Sequence, residues 1–146
     1  MASVSIYLNF ARECEQAFSF YKSVFEGEYF GDGPMRFSDL PPQEGMPPLP
    51  EEDKNLVLHV ELPILNGYSL MGSDTIEGMG PALKMGNNVH INLQIDTRVE
   101  SDQLFKALSE GGVVTMPLED QFWGDYFGSC EDKFGVQWMI NCAEKA

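Results

Sequence analysis

From Ser3 to Phe10, apolar and polar residues alternate: Val4, Ile6, Leu8 and Phe10 fall on one side, Ser5, Tyr7 and Asn9 on the other. A period of two predicts a strand. The spacing then lengthens. Cys14, Ala17, Phe18, Tyr21, Val24 and Phe25 recur at helical intervals, with Gly27 as the stop. Residues 28–37, EYFGDGPMRF, predict a second, interrupted strand. The stretch from Ser38 to Asp53 contains Pro41, Pro42, Pro47, Pro48 and Pro50 and ends acidic. It predicts a long exposed loop, either a lid or a disordered segment. Two strands follow, LVLHVELPI and YSLMGSD, joined through Asn66-Gly67, the strongest short-range signal for a hairpin.

After a linker at Thr75–Asn87 the order begins again. Asn88–Asp96 alternates as a strand, and Thr97 with Glu100 predicts a capping box for a helix carrying Val99, Leu104, Ala107 and Leu108. Gly111-Gly112 ends that helix. VVTMPLE, DYFGSCE and VQWMINC predict three more strands, the last two separated by a turn at Asp132–Gly135. Each half is therefore strand, helix, strand, strand, strand. The fold class is α+β: one domain of two βαβββ modules, 1–74 and 88–146, each needing a partner to cover its sheet.

If helices cover one face of each sheet, alternation assigns the other. Leu56, Leu58, Val60 and Leu62 are expected to pack, leaving Val57, His59 and Glu61 opposite. Val89, Ile91, Leu93 and Ile95 are expected to pack, leaving Asn88, His90, Asn92 and Gln94. Ser5, Tyr7 and Asn9 join that second face, as do Gln137, Met139 and Asn141, whereas Val136, Trp138 and Ile140 are expected in the core. Both histidines of the chain fall on the second face.

Composition narrows the function. With 43% hydrophobic and 22% charged residues the chain has an ordinary globular composition. Nine Lys and Arg stand against 23 Asp and Glu, a formal charge of −14, which repels phosphate backbones and anionic lipid and argues against nucleic-acid or membrane partners. Cys14, Cys130 and Cys142 are odd in number and form no C-x-x-C pair. Without a basic, apolar leader in MASVSIYLNFARECEQ, they point to a reducing, cytoplasmic location. No run approaches the ~20 apolar residues of a membrane span.

Several stretches carry a family resemblance: SIYLNF at 5–10, AFSFYKSVF at 17–25, LHVEL at 58–62, LMGSD at 70–74, GGVVTMPL at 111–118, FWGDYFG at 122–128 and DKFGVQW at 132–138. In this order they resemble the glyoxalase/bleomycin-resistance/dioxygenase proteins, the vicinal oxygen chelate superfamily, and within it the PhnB-like branch. The resemblance implies a curled, open barrel of two βαβββ modules, a homodimer, and a concave sheet face that holds a ligand. Metal-dependent members place His, Glu or Gln on the first and last strands of their modules. The corresponding positions here are Tyr7, His90 and Met139, and a thioether is a poor ligand for hard or borderline divalent ions. His90 alone is a competent ligand, so no metal cofactor is expected. Some PhnB-like sequences carry a demethylubiquinone methyltransferase label, yet no glycine-rich strand-to-helix turn with a following acidic ribose binder is present.

The expected function is binding of a small molecule in a sheet cleft by Tyr7, His59, Glu61, His90, Asn92, Trp123, Phe127 and Met139. His59 and Glu61, two apart on one strand, are the candidates for acid–base work. Phe122-Trp123-Gly124-Asp125 is placed to close over a ligand, with Gly124 and Gly128 allowing sharp turns. Two alternatives are a metal-dependent lyase, isomerase or dioxygenase with atypical ligands, for which His59, Glu61 and His90 share the second face, and an interaction domain whose cleft is filled by its own Trp123, Phe127 and Met139.

Overall fold

The computed structural model describes residues 1–42 and 44–146; Gln43, in the predicted proline-rich loop, lies outside the described residues. The chain divides into two compact units, Met1–Leu83 and Lys84–Ala146. The first unit contains β1 (Ile6–Phe10), α1 (Cys14–Phe25), β2 (Met35–Arg36), β3 (Val57–Pro63) and β4 (Ser69–Asp74). The second contains β5 (Ile91–Ile95), α2 (Arg98–Ser109), β6 (Val113–Asp120), β7 (Tyr126–Glu131) and β8 (Gln137–Cys142). Their sheets have the same plan, β1-β4-β3-β2 and β5-β8-β7-β6. The first and last strands of each unit run parallel, and the other pairs are antiparallel. Among the described residues no helix is long and apolar enough to cross a membrane.

In the first unit α1 buries Cys14, Ala17, Phe18 and Tyr21 on the face of the sheet that carries Phe10, Val60, Leu62 and Leu70. Burying each large side chain contributes roughly 1.5–3 kcal/mol. Phe18 stands edge-on to Phe10 and Tyr21, with centroids 6.4 and 5.7 Å apart. Gly72 lets the helix come this close, since a Cβ there would lie 2.5 Å from the Phe18 ring. The buried Asp74 carboxylate fixes the entry to α1. Its Oδ1 accepts from the Arg12 and Cys14 backbone N–H groups at 3.0 and 2.9 Å, and its Oδ2 from Val57 N–H at 2.9 Å. One side chain thus joins the start of α1, the start of β3 and the end of β4. Asn66-Gly67 forms the expected hairpin turn, both residues having positive φ, 50° and 80°.

The second unit repeats the plan with different chemistry. Thr97 Oγ1 accepts from Glu100 N–H at 3.1 Å, as the capping pattern predicts. Leu104 and Leu108 pack with Leu93, Ile95, Trp138 and Ile140 in the core. Asp132 organises the β7–β8 turn: Oδ1 accepts from Phe134 and Val136 N–H at 2.8 and 3.1 Å, and Oδ2 from Trp138 Nε1 at 2.8 Å. Tyr126 donates to Asp102 on α2 at 2.6 Å, beneath the Arg98 guanidinium 4.3 Å from its ring centre.

Five expectations are corrected. Residues 28–37 yield only the two-residue β2, because Gly31 and Gly33 take left-handed conformations no strand continues through. Val57 is buried and Leu58 only half-buried, the reverse of strict alternation. A bulge is the reason: Arg36 pairs with Val57 and Met35 with His59, leaving Leu58 unmatched. Val89 is 74% exposed, since β5 starts only at Ile91. Val99 is exposed, and Ser101 takes its place in the buried stripe by donating its hydroxyl to Thr97 O at 2.9 Å. The left-handed residue ending α1 is Glu26, not Gly27. The proline-rich segment, finally, is pinned at both ends: Phe37 and Ser38 N–H donate to Leu56 O and Lys54 O, and Arg12 bridges to Asp53 at 2.6 Å.

Two measurements check this account. Asp74→Ala leaves the buried N–H groups of Cys14 and Val57 and the part-buried one of Arg12 without an acceptor and is expected to lower unfolding stability by about 3 kcal/mol in urea titration; a loss below about 1 kcal/mol contradicts the role given to Asp74. The hydrogen bond to Asp102, reinforced by desolvation, pushes Tyr126 up to about 12. A raised tyrosine pKa contributes stability that is fully present below its unfolded value, near 10, and is lost as pH rises towards 12. Asp102→Asn is therefore expected to return the Tyr126 ionisation, followed by ultraviolet absorbance, towards 10.

Candidate functional site

Among the described residues each unit's sheet has one face under that unit's α-helix and one face that helix leaves uncovered, and register fixes which side chains stand together on the latter. In the first unit Tyr7 pairs with Met71, and Met71 pairs with Glu61. Tyr7, Met71 and Glu61 therefore form one row across β1, β4 and β3. One step along stand Asn9 and Ser73, paired in register, with Ser73 Oγ 3.5 Å from Asn9 Oδ1. His59 lies two residues before Glu61, opposite Met35. Tyr7 Oη and His59 Nδ1 are 3.3 Å apart, their rings tilted at a centroid distance of 5.8 Å. Because β4 separates β1 from β3, both rings lean over β4 to meet. Tyr7 is 46% exposed, and His59 and Glu61 are half-buried.

The second unit presents amides, a thioether and aromatics. Asn92 pairs with Met139, and Met139 with Ser129. The next row is Gln94, Asn141 and Phe127. Asn141 Nδ2 donates to Gln94 Oε1 at 3.2 Å and to Asp125 Oδ2 at 2.9 Å. Gln137 is buried on this side and donates to Glu131 Oε1 at 2.8 Å. Trp123, 50% exposed, meets Phe127 at 5.8 Å on one side and the 97%-exposed Phe122 at 5.0 Å on the other. The loop that presents them turns at Gly124, φ 103°, and is tied by Lys145 Nζ donating to Gly124 O. Gly128 serves differently from expectation. Its φ is not positive, but a Cβ there would lie 2.8 Å from Leu118 Cα, so glycine admits the neighbouring strand.

Of the predicted residues, the structure brings Tyr7 to His59, sets Glu61 on the row of Tyr7, aligns Asn92 with Met139, and packs Trp123 on Phe127. His90 stands just before β5, outside the strand, in the other unit from His59 and Glu61. Register also shows what sequence reading missed. Tyr7 stands to Met71 as Asn92 stands to Met139, so the central strand of each unit carries a methionine at the equivalent place. Met71 was legible in the alternation of YSLMGSD, whose Leu70, Gly72 and Asp74 face inward. The four equivalent positions are thus Tyr7, Met71, Asn92 and Met139. They offer a phenol, an amide and two thioethers, a donor set that does not fit a hard or borderline divalent ion. Among the described residues, no three His, Cys, Asp or Glu side chains are grouped to hold a metal ion.

The Tyr7–His59 contact has a direct test. Tyr7→Phe removes the group facing Nδ1, so the ¹⁵N shifts of the His59 ring are expected to move by several ppm as its tautomer balance changes. The stability cost is expected to stay below about 1 kcal/mol for so exposed a pair. An unchanged His59 spectrum contradicts the contact.

Comparison with known proteins places this geometry among relatives. The family model for 3-demethylubiquinone-9 3-methyltransferase matches residues 2–141. Protein PA1353 from Pseudomonas aeruginosa is 34% identical, superposes with a TM-score of 0.81, and covers 100% of both chains. A putative 3-demethylubiquinone-9 3-methyltransferase, PhnB protein, from Bacillus cereus is 24% identical with a TM-score of 0.75, covering 97% of this chain and 100% of that one. A glyoxylase/bleomycin resistance protein/dioxygenase domain from Frankia sp. EAN1pec shares the fold at 12% identity and a TM-score of 0.64, over 100% and 95% of the two chains.

Proposed function

The chain belongs to the PhnB-like 3-demethylubiquinone-9 3-methyltransferase family, within the glyoxalase/bleomycin-resistance fold, and from that premise we propose that it binds a small organic molecule on its helix-free sheet faces without a divalent metal. The ligand-facing residues are Tyr7, His59 and Glu61 in the first unit and His90, Asn92, Trp123, Phe127 and Met139 in the second. The observation that carries this reading is the paired register of Met71 and Met139. Where a divalent site needs oxygen or nitrogen donors, both units present a polarisable, apolar group suited to packing against a ligand. Around each methionine stand a few polar groups able to orient what binds, which is the usual make-up of a small-molecule surface.

The family description names a methyltransferase, and a methyl donor bearing a nucleoside would need a site. The strand-to-helix turns at Ala11–Glu13 and Asp96–Thr97 contain no glycine. The first N-terminus is already filled by Asp74, which accepts from Cys14 N–H, and the second by Thr97, which accepts from Glu100 N–H. Neither turn fits a nucleotide-type cofactor of the glycine-rich kind.

Self-association belongs to the same reading. β6 is an edge strand, and Val113, Val114 and Met116 along it are exposed large apolar groups. An uncovered apolar edge on a chain of charge −14 supports burial against a second copy. Light scattering is expected to give a dimer, and Val114→Glu with Met116→Glu a monomer; a wild-type monomer at 100 μM removes this part.

The binding reading is tested by thermal shift against metabolite and antibiotic panels, with metal analysis of freshly purified protein. At a hundredfold excess over Kd a ligand adds about 2.7 kcal/mol, a rise of several degrees. That rise is expected to disappear in Trp123→Ala or Tyr7→Ala, and chelator is expected to leave the melting temperature unchanged. Stoichiometric manganese, iron, nickel or zinc, lost on His90→Ala, would replace this reading with a metal-dependent enzyme.

A further inference from the structure

Register places Met35 on one side of His59 and Met71 on the other, and we propose that Met35, His59 and Met71 form a site for a soft monovalent cation of the Cu(I) or Ag(I) class. This extends beyond the organic ligand proposed above and does not depend on it. Met35 is the direct register partner of His59, across the bulge at Leu58. Direct partners on an antiparallel pair hold their Cβ atoms about 4.5–5.5 Å apart, and diagonal ones stay within reach of long side chains. Met71 is diagonal to His59, being the direct partner of Glu61. The lean of His59 towards Tyr7, which brings Nδ1 to 3.3 Å from Oη, carries the imidazole over β4, the strand on which Met71 stands, and away from β2, so Met35 has to reach it by extending its side chain over β3. The unbranched methionine side chains have the freedom to turn sulfur towards it.

Tyr7 supplies the second requirement. In the tautomer whose Nδ1–H donates to Tyr7 Oη, Nε2 carries the lone pair. A metal-binding histidine takes that tautomer, held by a hydrogen bond from its other nitrogen. Two thioethers and a neutral imidazole are soft to borderline donors, which select Cu(I) and reject magnesium, calcium and manganese. Glu61, on the row of Met71, sets a carboxylate beside the site and favours a cation there. The stronger soft ligands, the cysteine thiols, are withdrawn: Cys14, Cys130 and Cys142 are all buried; the other exposed methionines, Met1, Met46, Met79, Met85 and Met116, have no histidine as a register partner. Burial, aided by Asp132, holds the Cys130 thiol at about 11, and burial beside Asp74 pushes Cys14 higher still.

The test uses the full chain labelled with ¹³C at its eight methionine methyls, titrated with Ag(I) as a redox-inert probe, and with Cu(I) anaerobically against bathocuproine. One equivalent of Ag(I) is expected to shift the Met35 and Met71 methyls and the His59 ring, and one Cu(I) is expected to be withdrawn from the chelator. Met35→Leu and Met71→Leu, substitutions of similar volume, are each expected to weaken binding tenfold or more with the fold retained, as judged by the remaining methyl signals. Zinc and manganese at the same concentration are expected to leave both methyls in place. The proposal is overturned if the first equivalent moves other methionines instead. It is equally overturned if thiol reactivity falls while Met35 and Met71 stay unmoved, or if Met71→Leu binds as tightly as wild type.

Discussion

The first unit depends on one buried carboxylate. Asp74 ends β4, yet its oxygens hold the backbone of the β1–α1 turn and the start of β3. Three segments distant in sequence therefore meet at a single charged group, and a charged acceptor gives such bonds more than their neutral strength. Arg12 is held in a left-handed conformation at this junction, φ 95°, with its guanidinium on Asp53 and the Glu52 carbonyl. Once the ends of β3 and β4 are fixed this way, the register that aligns Tyr7, Met71 and Glu61 has no freedom to slip. A shift of one residue would turn the whole row into the core. Asp132 performs the corresponding task in the second unit, tying the β7–β8 turn to the indole of Trp138 and thereby orienting β8.

How much of this was legible follows from which rules are local. Asn66-Gly67 and Thr97 announced their conformations because turn and cap geometry depend on the residues themselves. The strands of the core were legible where alternation ran through them, from Ile6 to Phe10 and from Ile91 to Ile95, although the pattern ran on past their starts to the exposed Val4 and Val89. Alternation failed at Val57, where one extra residue on β3 shifts the phase, and nothing in LVLHVEL marks a bulge. It failed at Val89 and Val99 because an apolar residue near the end of an element follows the pattern without reaching the core. The site was legible as a face but not as a set of neighbours. The contact between Tyr7 and His59, and the equivalence of Met71 with Met139, depend on register between strands far apart in sequence, which no local pattern encodes. The Asp74 junction was invisible for the same reason: a lone acidic residue at a strand end has no sequence signature.

The two units share a scaffold and differ in what they expose on it. The first offers a phenol, an imidazole and a carboxylate, groups that can move or hold protons. The second offers Asn92, Gln94 and Asn141, two of them already bonded to each other, with Trp123 and Phe127 at one end. Amides and aromatic rings recognise shape and hydrogen-bonding pattern but do not titrate near neutral pH. The repeated βαβββ plan thus carries titratable groups on the uncovered face of one unit and amides and aromatic rings on that of the other.

The methionines bear on how far the fold predicts chemistry. A fold supplies positions, and the residues at those positions supply the activity. At equivalent places on β4 and β8, a carboxylate would create a site for hard cations and add charge to a chain already at −14. A thioether adds none, and it exchanges affinity for hard ions for polarisable contact with organic groups or soft metals. That both units make the same exchange, at places equivalent in register, is hard to assign to core packing. Met71 and Met139 stand on the side of each sheet that its helix does not cover, half-buried rather than enclosed in the core. A side chain retained there in both units is better explained by what comes to rest against it.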